Sequence, residues 1–248
     1  EIDGQKYGAV MKDDGTNGDQ SSGDGRYTTQ IVLPARIAFS ETAKFSVDDT
    51  QGGHKEFKFA FNSFGLQVES SVGKYYRDIL DRIPEFGGAE GWRSEIERLV
   101  GLGVDVKEGF IALAKFFFNS DEYFLRNKTD SEYVVDLYET FLNRTPSGDE
   151  IVYWVGFLEQ GLARNVILNY FAYCQEFHLF MEGLFGPGTS RAECNLVNDF
   201  YRGILNRLPD TGGFNAYLAM MRGAQCSSPQ AVRDLSHLIA LGFVSSQE

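Results

Sequence analysis

The strongest constraint on the fold is a pattern that occurs three times along the chain. A tyrosine is followed by Leu after four residues, Arg after six, Pro after eight and a large aromatic residue after sixteen. The three copies are Tyr76, Leu80, Arg82, Pro84 and Trp92; Tyr138, Leu142, Arg144, Pro146 and Trp154; and Tyr201, Leu205, Arg207, Pro209 and Tyr217. Because the tyrosines are 62 and 63 residues apart, the pattern predicts three copies of one structural unit.

Apolar residues around the middle copy recur with helical spacing and form three successive stripes. The stripes are Tyr133, Val134, Leu137, Tyr138, Phe141 and Leu142; then Ile151, Trp154, Val155 and Leu158; then Val166, Ile167, Tyr170 and Phe171. Each unit is therefore predicted to contain three helices joined by short turns. Trp154 is expected in the core, where truncation of such a residue to alanine costs about 3–5 kcal/mol.

The repeated proline predicts a corner between the first and second helix of each unit, because proline disfavours α-helical backbone in the preceding residue. Ser147 and Glu150 have the spacing of a capping box that begins the second helix. The glycine pairs 87–88 and 212–213 allow close backbone approach in the other two copies. The repeated arginine either donates hydrogen bonds to carbonyls at the helix end or to an acidic residue, which we call a structural clamp, or it binds a ligand. Its presence in all three copies favours the clamp, since one ligand site would not need three arginines.

Residues 1–70 have a different composition, typical of β-structure. The stretches 26–40 and 55–70 are rich in β-branched and aromatic residues, and 41–49 is a candidate third strand. The predicted fold class is therefore mainly α, with three tandem helical repeats and a small N-terminal β region. The expected boundaries are 1–70 for the β-rich segment and 71–128, 129–188 and 189–248 for the three repeats. Since the chain begins at Glu1 and its third repeat stops at Glu248, we expect further residues beyond both ends.

Charge and cysteine content restrict the function. The formal net charge is -12, without a Lys and Arg cluster, which argues against nucleic-acid binding. The longest apolar stretch, 110–118, is too short for a membrane span, so no membrane insertion is expected. Three cysteines do not make a disulfide framework: either Cys194 pairs with Cys226, or all three, with Cys174, are free thiols.

An acidic, glycine-rich loop near the N-terminus is the strongest candidate for a ligand site. Asp13, Asn17, Asp19 and Asp24 lie close together in sequence, and clustered oxygens of this kind suit Ca²⁺. The loop is not an EF-hand, because Gly15 stands where that motif needs an oxygen ligand. We expect Asp13, Asn17, Asp19 and Asp24 to bind calcium; the alternative is a solvated, turn-rich loop.

Motifs of catalysis do not occur in the sequence. His54, His178 and His237 are scattered without zinc spacing, and no phosphate-binding loop or nucleophile motif is present. The chain is therefore expected not to be an enzyme.

The repeats resemble a bacterial family of unknown function that is distantly similar to the phycobilisome linker-polypeptide domain. The resemblance covers about 75–248 and is most evident in 133–177. That family usually has Gly before the repeated Arg, where this chain has Asp81, Asn143 and Asn206. The resemblance implies tandem helical modules of large secreted or surface proteins and assigns no catalytic residues. Residues 11–34 also resemble a segment of bacterial extracellular Ig-like domains.

These observations lead to one principal hypothesis and one alternative. We expect a non-catalytic structural or protein-interaction module of a larger extracellular or cell-surface bacterial protein, with a protein partner or self-association. The alternative is a carbohydrate-binding module, or a domain attached to a secreted hydrolase, with a glycan ligand. Burial of Trp92 and Trp154 favours the first hypothesis. A row of exposed aromatic residues in a groove favours glycan binding, and a pocket with two facing carboxylates favours a hydrolase.

Overall fold

The computed structural model describes residues 41–48, 54–61, 63–188 and 191–245, and the chain divides into two compact units after Leu66. In the first unit, β1 (Glu41–Asp48) and β2 (His54–Phe61) form an antiparallel hairpin. Its register runs from Glu41 opposite Phe61 to Asp48 opposite His54. The candidate strand at 41–49 is thus present, whereas 26–40 lies outside the described residues.

The predicted β character of 55–70 is wrong beyond β2, because α1 begins at Ser63. The reason is visible in the spacing of the apolar residues. Val68, Val72, Tyr75 and Ile79 are buried at intervals of three or four residues, which places them on one helix face. The alternation of the strand ends with Phe61, and the boundary at residue 70 comes too late.

Each repeat contains the three predicted helices in the expected order, and repeats 1 and 2 each contain a fourth helix that was not predicted. Repeat 1 contains α1 (Ser63–Leu80), α2 (Gly88–Gly101), α3 (Val106–Phe118) and the short α4 (Asp121–Leu125). Repeat 2 contains α5 (Asp130–Leu137), which continues as a π-helical turn (Tyr138–Leu142), then α6 (Gly148–Glu159), α7 (Arg164–Tyr173) and α8 (Gln175–Phe185). Repeat 3 contains α9 (Ala192–Ile204), α10 (Thr211–Gln225) and α11 (Pro229–Ser245). The mainly α fold class is confirmed.

One left-handed residue ends the first helix of every repeat. Asp81, Asn143 and Asn206 have φ values of 46°, 52° and 52°. Asp and Asn tolerate this conformation better than other residues with a side chain. This explains why they can stand where the resembling family has glycine. Three residues later comes the proline, so the three proline corners share this local geometry.

The second helix then begins close to the tyrosine of the first. A Cβ atom on Gly88 would lie 2.9 Å from the Tyr76 hydroxyl oxygen, and one on Gly213 would overlap the Tyr201 hydroxyl. In repeats 1 and 3 the glycine therefore lets the second helix begin close to the tyrosine hydroxyl, as the glycine pairs predict. Repeat 2 has Glu150 at the equivalent position, within the expected capping box with Ser147.

Buried side chains of repeat 1 pack against both of the other repeats within the second unit. Leu99 and Val104 of repeat 1 belong to the same buried cluster as Val197, Tyr201 and Phe214 of repeat 3. Aromatic rings connect repeats 1 and 2: Phe110 lies 5.3 Å from Tyr75 and 5.4 Å from Phe185, between ring centroids. Repeat 1 consequently contacts both of the other repeats.

Candidate functional site

The repeated residues form the same aromatic cluster in each copy. The ring of the first-helix tyrosine packs against a phenylalanine of the third helix, with centroid distances of 4.6 Å for Tyr76–Phe117, 4.9 Å for Tyr138–Phe171 and 4.9 Å for Tyr201–Phe243. The aromatic residue of the second helix contacts the same phenylalanine, at 6.2 Å for Trp92, 5.4 Å for Trp154 and 5.1 Å for Tyr217. Each cluster therefore joins the first three helices of its repeat.

The repeated arginine covers the tyrosine ring from the solvent side. Its guanidinium carbon lies 4.9 Å from the Tyr76 ring centroid for Arg82, 4.7 Å from Tyr138 for Arg144 and 5.0 Å from Tyr201 for Arg207. Contacts of this kind between a cation and an aromatic face are attractive. The arginine therefore acts on the same tyrosine that organises the aromatic cluster.

Two carboxylates hold the arginine in repeats 1 and 2. Arg82 donates to Glu85 at 2.6 Å and to Glu122 at 2.7 Å and 2.9 Å. Arg144 donates to Glu150 at 2.9 Å and 3.0 Å and to Glu176 at 2.7 Å. The clamp interpretation is confirmed for these two copies, because each arginine connects the corner to the start of a later helix.

The third copy keeps the arginine and its first partner. Arg207 lies 3.5 Å from the carboxylate of Asp210, and Asp210 also caps α10 by accepting from the backbone N–H of Gly213 at 2.7 Å. Glu122 and Glu176 each come five residues after the buried phenylalanine of the third helix. Glu248 comes at the same distance after Phe243 in the sequence. Glu248 lies outside the described residues.

Electrostatics of the clamps follow from these contacts. Hydrogen bonds from Arg144 lower the pKa of the Glu150 carboxyl to about 2, and those from Arg82 lower the pKa values of Glu85 and Glu122. In turn, the carboxylates raise the pKa of each arginine above its ordinary value. The clamps are thus fully ionised at neutral pH. A group that recurs in every repeat and is saturated with partners is structural rather than catalytic.

Trp92 and Trp154 are half-buried, which differs from the expected core position of Trp154. One edge of Trp154 packs on Phe171, and its Nε1 donates to the Tyr138 hydroxyl at 3.2 Å. None of the twelve described residues of α6 is fully buried. A periodic apolar stripe identifies a helix face but not what covers it, and this is why the prediction failed. Truncation of Trp154 should therefore cost less than a core aromatic residue does.

A cleft of about 820 Å³ lies where the three repeats meet. At this junction Arg202 of α9 donates to Glu108 of α3 at 2.7 Å and covers the ring of Tyr173 of α7 at 4.7 Å. Asn198, also on α9, donates to Glu108 at 3.3 Å. The junction residues therefore come from all three repeats, with Arg202 at the centre.

Glu108 is mostly buried, with 11% of its side chain exposed. Burial raises the pKa of the Glu108 carboxyl, and the positive charge of Arg202 opposes that rise. Burial and the charge of Arg202 both lower the pKa of Lys115, whose Nζ atom donates to the Tyr173 hydroxyl at 3.3 Å. Sequence reasoning missed this junction, because Arg202 and Glu108 lie in different repeats and neither belongs to the repeated pattern.

Asp136 is a second buried carboxyl group, with 5% of the residue exposed. It accepts a hydrogen bond from the Tyr123 hydroxyl at 2.8 Å and lies 3.4 Å from Lys128 Nζ. Burial dominates these contacts and raises the pKa of the Asp136 carboxyl to about 6. Asp136 therefore binds a proton more readily in the folded chain than in the unfolded one.

We expect Asp136→Asn to change how stability depends on pH. In the wild type, ionisation of the buried carboxyl lowers stability as the pH rises from about 4 to about 7. A pKa raised from 3.8 to about 6 corresponds to about 3 kcal/mol of this loss. The asparagine variant keeps an acceptor for Tyr123 and has no charge to bury. Urea unfolding of both proteins at the two pH values measures the difference.

The comparison removes the contribution of the other carboxylates to the pH dependence, because both proteins contain them. Glu150, for example, has a lowered pKa, so its ionisation makes both proteins more stable as the pH rises. The wild type should lose stability relative to the variant between the two pH values. If the free energies of unfolding of the wild type and the variant differed by the same amount at acidic and neutral pH, the raised pKa of Asp136 would be contradicted.

The predicted metal ligands Asp13, Asn17, Asp19 and Asp24 lie outside the described residues. Within the described ranges, no group of three or more His, Cys, Asp or Glu side chains is placed to hold a metal ion. The cysteines are free thiols: Cys194 is buried, Cys174 half-buried and Cys226 exposed. None of the described helices is long and apolar enough to cross a membrane.

Comparison with known proteins identifies one related family. Residues 114–180 match the model of a domain of unknown function, DUF4214. The matched segment begins within α3, includes α4 to α7 and ends within α8. No curated protein matches the chain, and no solved structure matches it.

Proposed function

We propose that the chain is a non-catalytic structural and protein-interaction module of a larger extracellular or cell-surface bacterial protein, and that it self-associates through repeat 2. The observation that carries the proposal is an exposed apolar surface on α6. Val152, Tyr153 and Phe157 are 73%, 58% and 37% exposed. We call these three residues the α6 patch.

The other repeats show that the fold does not require this patch. The equivalent residues, at the same distances from the repeated tyrosine, are Glu90, Gly91 and Glu95 in repeat 1 and Asn215, Ala216 and Met220 in repeat 3. Five of these six residues are polar or small, and Met220 is the exception, so the second helix does not require three large apolar residues on this face. Exposed apolar residues that the fold does not need are typical of an interaction surface.

The second helix of repeat 1 shows how such a helix is covered when it has a partner. Leu99 of α2 belongs to the buried cluster of repeat 3, and Arg98 donates to the Pro209 carbonyl at 2.8 Å and to the Thr211 hydroxyl at 3.1 Å. Repeat 1 thus packs against repeat 3 through the C-terminal end of its second helix. We infer that in repeat 2 a second copy of the chain covers the α6 patch.

Sedimentation velocity over a wide concentration range tests self-association. We expect the wild type to form larger species as its concentration rises, and the triple variant Val152→Glu, Tyr153→Ser, Phe157→Glu, which makes the patch polar like repeat 1, to remain monomeric. Phe124→Ser is the control, because Phe124 is 81% exposed and lies on α4. A wild type that stays monomeric throughout, or a control that dissociates equally, would refute the proposal.

Calcium binding by Asp13, Asn17, Asp19 and Asp24 belongs to the same proposal, because extracellular modules meet millimolar Ca²⁺. A loop of this kind binds with a dissociation constant of about 10⁻⁴–10⁻³ M, and ligand binding stabilises the folded state. We expect a higher melting temperature in Ca²⁺ than in chelator for the wild type, and no shift for the Asp13→Asn, Asp24→Asn variant. Equal melting of the wild type in both conditions would remove calcium from the proposal.

Two resemblances support the proposal that the parent protein is extracellular or on the cell surface. Residues 75–248 resemble tandem helical modules distantly similar to the phycobilisome linker-polypeptide domain, and 11–34 resemble a segment of bacterial extracellular Ig-like domains. Labelling of intact cells with an antibody against the chain tests the location. Signal only after the cells are made permeable would contradict it.

A further inference from the structure

We propose that the cleft between the three repeats binds a neutral saccharide. This inference goes beyond the scaffolding role, because it concerns a surface that does not include the α6 patch. The cleft has a volume of about 820 Å³, within the range of about 300–1,000 Å³ that is usual for small-molecule sites. Its walls combine aromatic faces with amide side chains, and this combination suits a sugar ring and its hydroxyl groups.

The aromatic wall consists of Trp92 and Phe116. Trp92 is half-buried and its ring lies 5.6 Å from that of Phe116, which is 62% exposed, and both line the cleft. Contact between Trp92 and Phe117 fixes the tryptophan ring against the core. A rigid, partly exposed indole presents an apolar face, and the C–H groups of a pyranose ring pack on such faces.

The part of the lining that comes from α7 carries amides. Asn165 and Asn169 are exposed, lie four residues apart on α7 and therefore share one helix face that lines the cleft. Each amide offers two donors and an acceptor, which matches hydroxyl groups that both donate and accept.

An unsatisfied polar atom lies at the same cleft. Asn198, which lines it, is 2% exposed and donates to Glu108, while its Oδ1 atom has no hydrogen-bond partner among the described residues. A buried acceptor without a partner is costly, and a ligand hydroxyl would satisfy it.

Charge at the cleft favours a neutral ligand over a phosphate or a carboxylate. Arg202 is held by Glu108 at 2.7 Å and by Asp199 at 2.5 Å. Lys115 donates to the Tyr173 hydroxyl, and Arg207 lies over Tyr201 beside Asp210. Because Arg202 and Arg207 already pair with carboxylates, an anionic ligand would have to compete with existing ion pairs for them, whereas a sugar would not.

The two tryptophans permit a test with an internal control, because the chain contains only Trp92 and Trp154. In the Trp154→Phe variant, emission reports on the cleft through Trp92. In the Trp92→Phe variant, it reports on Trp154, which pairs with Tyr170 at 4.8 Å in a similar aromatic arrangement outside the cleft lining. The probes are glucose, galactose, mannose, N-acetylglucosamine, cellobiose and chitobiose, with inorganic phosphate as the anionic comparison.

We expect at least one of these sugars to shift the emission of Trp92 saturably and to leave that of Trp154 unchanged. In the Trp154→Phe background, Asn169→Ala should weaken the binding about tenfold through the lost hydrogen bonds. Asn195→Ala is the matched control, since Asn195 is an exposed helical asparagine that does not line the cleft. Phe116→Ala should weaken binding similarly.

Three outcomes would overturn the inference. The first is that none of the sugars changes Trp92 emission. The second is that Asn169→Ala and Asn195→Ala have equal affinity, which would place binding elsewhere. The third is that phosphate binds and the sugars do not, which would contradict the charge argument. Self-association is measured separately on the α6 patch variant, so failure here leaves the scaffolding proposal testable.

Discussion

Replacing Phe171 with alanine is expected to lower the free energy of unfolding by about 3–5 kcal/mol, the range for truncation of a buried aromatic residue. Phe171 is 2% exposed and its ring lies 4.9 Å from that of Tyr138 and 5.4 Å from that of Trp154. The substitution removes the contact that joins the three helices of repeat 2 and leaves a cavity beneath the arginine clamp. Denaturant unfolding followed by circular dichroism measures the loss.

Phe124→Ala provides the control for this measurement, because Phe124 is 81% exposed and its truncation should change stability by less than about 0.5 kcal/mol. Phe117 and Phe243 occupy the equivalent positions in repeats 1 and 3 and are 3% and 4% exposed. Their substitution should cost a similar amount if the repeats use one architecture. A loss below about 1 kcal/mol for Phe171→Ala would show that the aromatic cluster does not carry the core.

Replacing Arg202 with methionine is expected to cost about 3 kcal/mol at neutral pH, the low end of the range for breaking a buried ion pair, because 29% of the Arg202 side chain is exposed. Methionine retains much of the apolar stem but leaves the Glu108 carboxylate without its cation. Protonation of Glu108 removes the unpaired charge. The loss in free energy of unfolding caused by Arg202→Met should therefore become smaller as the pH falls, and unfolding measured at acidic and neutral pH tests this direction.

A double-mutant cycle separates the ion pair from the packing. Glu108→Gln removes the carboxylate charge, so the additional cost of Arg202→Met in that background should be much smaller. Arg233→Met serves as a control because Arg233 is exposed and bonds to Gln230 within α11. Equal losses with and without the Glu108 carboxylate would mean that Arg202 acts through its other contacts, with Tyr173 and Asp199.

The sequence was sufficient for the features that depend on neighbouring residues. The capping box at Ser147–Glu150, the proline corners and the helical class all follow from interactions over a few residues. The clamp was recognised as well, because Arg82 and its equivalents recur at a fixed distance from a tyrosine. What remained hidden was the second carboxylate, since Glu122 lies 40 residues after Arg82.

Features that depend on contacts between repeats could not be derived in this way. The half-burial of Trp154, for example, depends on how little of α6 the other described helices cover. Arg202 and Glu108 are 94 residues apart and belong to no motif. Of the candidate sites, the cleft was therefore invisible from the sequence, whereas the acidic loop at 13–24 was visible but lies outside the described residues.

The position of Phe110 shows that the segment matched by the family model is smaller than the packed unit to which it belongs. The family match at 114–180 cuts α3 and α8 and leaves out Phe110 and Phe185, whose rings join repeats 1 and 2. A gene fragment that encodes only the matched segment would expose the inner faces of both helices. A segment cut at these bounds must consequently carry its flanking helices along, or be given new ones, to keep both inner faces covered.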